Sequence, residues 1–427
     1  MMTVLRFLQI ATRVVQHGPG LLYAAVSARR TVDRDVALGG VGTRLADLLE
    51  SLGPIWIKLG QSLAGRSDLA DPALLAPLSR LQDRVRPTRW GEIARTLEHA
   101  YGGRRAALFS HIDPVPVAVG SIAQVHRAVL AGDGRHIVLK VKRPGVDRLL
   151  EADLRIVAMM TGVVARLPGF RDVPIREVMN EIMDAVRRQT DFRAEAANAR
   201  RFADDYQGQT GVVFARPVAE LCTDDVVVLD YVPGLRRIDD PAVGISARRL
   251  LVKKLVDVLY RMIFRTGFIH CDMHLGNAMA ARTETLALLD YGLVADMSGE
   301  PKADFREFFR AFAFNDPRAC TDIMLKTAKR VAADIDVERF NRDVAALVAE
   351  ATGKKANGFR ITPFVRRLFE IQRDHGVMGN SDFTMAILSL INVEGIVMRF
   401  NPDLDFQALA VPHFMAAMSD RLASGER

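Results

Sequence analysis

The sequence predicts an α+β, helix-dominated fold of two lobes around a cleft, with an accessory layer of helices at its N-terminus. Three observations carry that expectation. Strand-like runs, alternating or wholly apolar, stand at residues 117–126, 137–141, 226–229 and 285–289. Helical periodicity precedes them and fills almost everything after Gly292. With 427 residues, 49% of them hydrophobic, the chain buries a core too large for one small lobe. Its expected divisions are an N-terminal helical segment (1–44), accessory helices (45–110), a strand-containing lobe (111–232) and a helical lobe (233–427).

The elements follow in order. Residues 5–25 are apolar, interrupted by Arg6 and Arg13, and lack a signal-peptide core; they read as a helix that docks on the protein or lies along a bilayer. Pro54 suits the first turn of a helix on which Lys58 and Gln61 share one face, while Ile57 and Leu63 point elsewhere. Asp71-Pro72 reads as an acid cap and a first-turn proline, before the stripe Leu74, Leu75, Leu78, Leu81. Ala131-Gly132-Asp133-Gly134 is a turn between strands. The strand after it sets Ile137, Leu139 and Val141 opposite Lys140 and Lys142. One long helix is expected from about Pro174 to Asp205, its buried stripe made by Ile175, Val178, Ile182 and Val186. The lobes meet near Tyr231-Val232-Pro233-Gly234. Ser246 caps a helix reaching Arg265 and stopped by Gly267; Asp316-Pro317 and Thr362-Pro363 open later helices, and Gly353 and Gly376 close them.

The chemistry lies between Gly267 and Gly292. Asp272 and Asn277 stand five apart, and thirteen residues after Asn277 comes Asp290-Tyr291-Gly292, with the apolar run 285–289 reading as a buried strand that delivers Asp290. Oxygen ligands at these offsets are what a phosphoryl-transfer site needs to hold Mg²⁺ and orient a nucleophile, and the order matches the Asp-x4-Asn and Asp-Phe-Gly elements of protein kinases. Tyr291 replaces Phe conservatively. His270 and His274 offer a rival reading as a metal pair, but glycines bracket them and no third ligand is evident, so His270 is expected to brace the loop. A kinase also needs a cation on the phosphates, held by a helical acid. Alternation leaves Lys140 and Lys142 both open, as partners of an inward Glu195 or as solvated lysines on an edge strand. No Gly-x-Gly-x-x-Gly precedes the strand; small residues at 117–123 stand there instead.

These residues resemble the UbiB/AarF family of atypical kinase-like proteins over roughly residues 40 to 415. The most specific mark is Lys58-Leu59-Gly60-Gln61, similar to the family's Lys-x-Gly-Gln signature, continued by Arg66-Ser67-Asp68-Leu69 and Leu81-Gln82-Asp83. The resemblance implies a protein-kinase-like fold in which Ala118, Val119, Gly120 and Ser121 belong to an alanine-rich loop that replaces the glycine loop. It selects Lys140 for the phosphates and Glu195 as its mate, gives Asp272 the catalytic role and assigns Asn277 and Asp290 to the metal. Adenine is expected beside Asp230, Tyr231 and Val232. Lys58 and Gln61 are implied regulatory residues, on a helix that covers the nucleotide cleft and restricts protein substrates. ATP or ADP and Mg²⁺ are the implied cofactors, and isoprenoid quinone (ubiquinone) biosynthesis the implied setting. The sequence departs from the family at Gln189, usually Glu; at Gly120, which interrupts the alanine run and should loosen the loop; and at Met273 and Leu275, commonly prolines.

Composition narrows the classes. Three cysteines, Cys222, Cys271 and Cys320, make a disulfide framework improbable and fit a reducing cytoplasm. A net charge of +7 suits anionic lipid surfaces or nucleotides, while sparse aromatics and no stacking or finger motif argue against nucleic acid. No run is expected to be long and apolar enough to span a membrane, and the chain stops soon after Asp405, so a terminal anchoring pair of the kind many relatives carry is not expected. The expected function is an ATP-binding, Mg²⁺-dependent atypical kinase or ATPase supporting quinone or related lipid metabolism. It is cytoplasmic, with quinone-biosynthesis proteins or an isoprenoid lipid as partners and peripheral contact at the inner face of the membrane. The alternatives are a nucleotide-binding scaffold without turnover and a small-molecule phosphotransferase.

Overall fold

Among the described residues, fifteen α-helices and β-strands precede residue 231. They are α1 (Met2–Ala28), α2 (Arg34–Leu52), α3 (Pro54–Ala64), α4 (Pro72–Leu75), α5 (Trp90–Tyr101), α6 (Arg105–Leu108), β1 (Phe109–Ile112), β2 (Ala118–Val119), β3 (Ala123–Leu130), β4 (His136–Lys142), α7 (Val146–Val164), α8 (Ile175–Arg188), α9 (Phe192–Asp205), β5 (Val212–Phe214) and β6 (Val226–Asp230). Then come β7 (Leu235–Arg237), α10 (Ile245–Arg261), β8 (Phe268–His270), β9 (Ala278–Ala281), β10 (Thr285–Leu288), β11 (Val294–Asp296), α11 (Glu300–Ala313), α12 (Pro317–Thr327), β12 (Arg330–Val331), α13 (Val337–Thr352), α14 (Ile361–Asp374), β13 (Val377–Met378), α15 (Ser381–Phe400) and α16 (Ala410–Ser424). This computed structural model describes residues 2–28, 33–64, 71–81, 86–166, 175–282, 284–352, 360–406 and 408–424. The expectations at Arg66-Ser67-Asp68-Leu69, Gln82, Asp83, Pro174 and Gly353 lie outside the described residues.

The chain divides into two compact units, residues 1–197 with 216–231, and residues 198–215 with 232–427. The first unit holds a five-stranded antiparallel sheet, β1-β3-β4-β6 with β2 on β3. Its central strand β4 buries Ile137, Leu139 and Val141 completely, as the two-residue period requires. Helix α3 packs at contact distance on the turn Ala76–Arg80 because Gly60 has no side chain: a Cβ there would meet Leu81 Cδ1 at 2.3 Å and Leu49 Cδ1 at 2.8 Å.

In the second unit, β5-β10-β9-β7 form one sheet, with β5 and β10 parallel, and β8 pairs β11. After β11 the described residues are mainly helical, with the short pair β12–β13 inserted. Asp316 caps α12 by accepting from Ala319 N, and Gly376 follows α14 at φ 66°, both as the sequence predicts.

Four expectations are corrected. The helix predicted from Pro174 to Asp205 is two helices, because Asp191 accepts from Ala194 N at 2.9 Å and so caps a new start. Ser246 is not a cap: α10 begins after Gly244, and the α-helix gives way at Met262–Thr266 to a π-turn before Gly267 at φ 73°. Helix α14 starts one residue before Thr362-Pro363, where the Glu394 carboxylate accepts from Ile361 N (2.7 Å) and Thr362 N (2.9 Å). Ser381–Phe400 is, by length and composition, long and apolar enough to cross a membrane, although half of its most apolar window is buried within the protein.

Candidate active site

In the first unit, β4 turns Lys140 and Lys142 to the same face, and neither is a solvated edge lysine. Both ammonium groups approach the ring of Phe192, at 5.7 and 5.0 Å from its centroid. Their acids differ. Lys140 Nζ donates to Glu195 Oε1 at 2.7 Å, whereas Lys142 Nζ pairs with Asp147 at 3.2 Å. Glu195 is 1% exposed, so its charge requires a cation, and the first turn of α9 adds the positive end of a helix. The break at Asp191 therefore places Glu195 in a first turn, where one long helix would have put it in mid-helix.

Ahead of that strand, Ala118 and Val119 pair with Val125 and Gln124, and Gly120 N donates to Ala123 O at 2.9 Å across the turn that holds buried Ser121. The looseness expected of Gly120 is not built into its backbone. It does not adopt a positive φ, and a Cβ would meet only Ala123 O at 3.6 Å, an ordinary contact. Arg143, which the sequence places in the motif Arg143-Pro144-Gly145 without a role, fastens the turn. Its Nε donates to Gly120 O (2.9 Å), its backbone N to Ile122 O (2.8 Å), and its two Nη groups to Thr88 Oγ1 (3.0 Å) and Arg86 O (2.9 Å). The only sequence signal was an arginine at a strand end before Pro144-Gly145.

At the far end of β6, Asp230 accepts from Arg135 at 3.1 Å, and Tyr231 carries the Arg127 guanidinium over its ring at 5.0 Å. Val232 is half-buried and is the first residue after the crossing into the second unit. Lys58 is half-buried on α3, while Gln61 Nε2 donates to Leu81 O at 3.1 Å and so cross-links the accessory helices.

In the second unit, a hairpin brings the other residues together. Strands β9 and β10 pair Ala278 with Leu288, and Leu289 N donates to Asn277 O at 2.9 Å, so Asn277 and Asp290 emerge side by side. Asn277 is buried; its Nδ2 donates to Asp272 O (3.0 Å) and Asp272 Oδ2 (3.2 Å), which leaves Oδ1 as its remaining acceptor. Asp290 is exposed at φ 60°, a left-handed conformation that Asp tolerates, with Gly292 N donating to its Oδ1 at 3.3 Å.

His270 braces the loop from beneath. Its ring is buried; Nδ1 accepts from Asp272 N at 3.2 Å, and Nε2 donates to Leu289 O at 3.0 Å. Both ring nitrogens are thereby occupied, whereas His274 is exposed and accepts from Gly276 N, so the two imidazoles do not act as a metal pair. Burial holds the His270 pKa below the usual imidazole value, which keeps the ring neutral. Tyr291 is more than a substitute for Phe: its buried hydroxyl donates to Leu288 O (2.6 Å) and accepts from Ala215 N (2.9 Å), while Asn198 Nδ2 holds its carbonyl at 3.0 Å. Cys271 is buried, its thiol pushed up to about 12 chiefly by burial, so it is a packing residue without thiolate character.

Asp272, Asn277 and Asp290 offer hard oxygen atoms only, which fits Mg²⁺, an ion that takes one or two carboxylates and completes its shell from phosphate and water.

Residues 80–324 match the ABC1 atypical kinase-like domain. Over 389 residues the chain is 30% identical to a probable protein kinase UbiB of Vibrio atlanticus (strain LGP32), covering 90% of this chain and 71% of that protein. It is also 30% identical over 379 residues to the protein of that name from Aeromonas hydrophila, covering 87% of this chain and 69% of the other. Among solved structures, Rv3197 of Mycobacterium tuberculosis, in complex with erythromycin, has a similar fold at TM-score 0.53 and 21% identity, over 92% of this chain and 98% of that one.

Proposed function

Because the chain belongs to the UbiB family of ABC1 atypical kinase-like proteins, we propose that it is a Mg²⁺-dependent, ATP-using phosphotransferase or ATPase of isoprenoid quinone (ubiquinone) or related lipid metabolism. Its fold is the α+β, helix-dominated, kinase-like one read from the sequence. In this reading Lys140 contacts the α/β-phosphates, Glu195 orients Lys140, and Asp272 takes the proton of the attacking hydroxyl or positions a water. The turn at Ala118, Val119, Gly120 and Ser121 covers the phosphates, and Asp230, Tyr231 and Val232 receive the adenine. Held by Asn277 Oδ1 and the Asp290 carboxylate, magnesium supplies charge compensation for the phosphate oxygens. Lys58 and Gln61 act as regulators of access, and the protein works in the cytoplasm, peripheral to the inner face of the membrane.

The observation that carries the proposal is the hairpin register that sets Asn277 beside Asp290 while Asn277 also grips Asp272. Titration with a fluorescent ATP analogue, with and without Mg²⁺, tests it. Asp290→Asn is expected to abolish the magnesium-dependent part of the affinity, and Asp272→Asn to keep binding while losing about 10²-fold or more in turnover. Unchanged magnesium dependence in Asp290→Asn overturns the metal assignment. Wild-type protein that binds nucleotide but turns none over, even with vesicles and quinone-precursor mimics, moves the reading to a scaffold.

A further inference from the structure

Helix α1 is tied to its unit along one face. Arg6 Nε donates to Asp153 Oδ1 at 2.6 Å, and one Nη donates to Asp153 Oδ2 (2.8 Å) and Leu52 O (2.6 Å); Ile10, one turn on, is buried. A different face meets solvent. Leu8, Val15 and Leu22 recur every seven residues and Val26 follows four later, so at about 100° per residue they form one stripe. They are 58%, 72%, 67% and 47% exposed, and Tyr23 beside them is 76% exposed. Arg6 on Leu52 and Gly20 beside Arg44 mark α1 and α2 as antiparallel, which brings Val36, 68% exposed, to the same end as Val26. Single exposed apolar residues are ordinary on a soluble surface; an aligned row of them along a 27-residue helix is not.

Charge identifies what covers the row. Residues 1–32 contain neither Asp nor Glu, the first acid being Asp33; with Arg6 taken up by Asp153, Arg13, Arg29 and Arg30 remain as the excess positive charge. Pairing two such helices from two copies of the chain would bring cation towards cation with no acid of the helix to answer them. An anionic bilayer satisfies both features, because acyl chains take the apolar row and headgroups take the excess positive charge. Arg6 and Ile10 are already committed to the protein, so only the apolar row of α1 is left to meet such a surface.

We propose that α1 docks the first unit on an anionic lipid surface, with Leu8, Val15, Leu22 and Val26 entering the acyl boundary. This locates the surface for the peripheral membrane contact of the proposed function and rests on that part of it alone. The test is co-sedimentation of the full chain with vesicles of phosphatidylcholine and of phosphatidylcholine mixed with phosphatidylglycerol. Wild type is expected to bind the mixed vesicles at least about tenfold more tightly, with affinity falling as salt rises. The uncharged variant Leu8→Gln/Val15→Thr/Leu22→Gln, altered only at exposed positions, is expected to lose about tenfold or more while circular dichroism and nucleotide binding stay at wild-type values. Nucleotide binding is read separately, so failure of the docking and failure of the phosphoryl-transfer reading are distinguishable. Wild-type binding retained by the variant overturns the proposal. So does wild type that ignores both vesicles, or a vesicle-independent dimer in light scattering that the variant abolishes.

Discussion

The two sets of site residues are built on opposite principles. Around Lys140 the order is electrostatic: a carboxylate buried to 1% exposure on a capped helix start, facing an ammonium across 2.7 Å. Around Asp272 and Asp290 it is geometric: backbone pairing, one neutral histidine and one tyrosine hydroxyl set positions, while the Asp290 carboxylate stands at the surface. A buried charge is bound up with the stability of the fold, whereas a surface carboxylate on a rigid hairpin can be altered with little cost beyond its chemistry. Damage to the first set should therefore appear in stability, and damage to the second in binding and turnover.

Glu195→Ala makes the largest difference. It removes the buried carboxylate that Lys140 Nζ meets at 2.7 Å, and a loss of about 3 kcal/mol is expected in urea unfolding. Asp290→Asn should stay within about 0.5 kcal/mol of wild type in the same assay. Equal losses in the two would erase the contrast. Tyr291→Phe comes next, because it strips the buried Ala215 N–H of its acceptor; about 1–2 kcal/mol is expected in the same titration, and a neutral result would mean that the hydroxyl does not set the hairpin.

The pH dependence follows from His270 and His126, both held below the usual imidazole pKa chiefly by burial. A depressed folded-state pKa means that the unfolded chain binds more protons in the window between. Stability from these rings is thus complete above about pH 6.5 and is lost as pH falls towards their folded values. Asp153 acts in the opposite sense: its pKa is raised by burial against the pull of Arg6, so its contribution declines as pH rises. The slope of urea midpoint against pH just below about 6.5 should flatten in His270→Gln, and an unchanged slope would show that His270 does not titrate with unfolding. Gly120→Ala gives the smallest effect. The site has room for a methyl at an ordinary φ, so a gain of up to about 0.5 kcal/mol is expected, and a loss would point to a turn less firmly held than Arg143 implies.

What the sequence made legible was periodic or short-range. The pleat of β4 exposed the choice between Lys140 and Lys142, and the apolar run before Asp290 announced the strand that delivers it, though not the partner strand β9. Alternation alone did not show which lysine receives the acid, because that depends on where α9 begins; the family resemblance chose Lys140, which is the lysine that meets Glu195. The apolar stripe through Val186 ran on without marking the stop, and only the cap at Asp191 breaks it. Ser246 looked like a cap because hydroxyls commonly serve as one, yet the chain enters α10 from Gly244 with no side-chain cap. Arg143 and the pair Arg6–Asp153 were out of reach for a different reason: their partners are chosen by tertiary packing across many residues, and nothing local records it.

Glu394 has a bearing on how chains of this kind are sorted by hydropathy. Window averages would consign Ser381–Phe400 to lipid, yet one carboxylate in its second half serves as the amino-terminal stopper of the neighbouring helix α14. Pulling that segment into hydrocarbon would strand an acid and uncork two amides at once, so a single side chain ties this greasy rod to its neighbour in the protein.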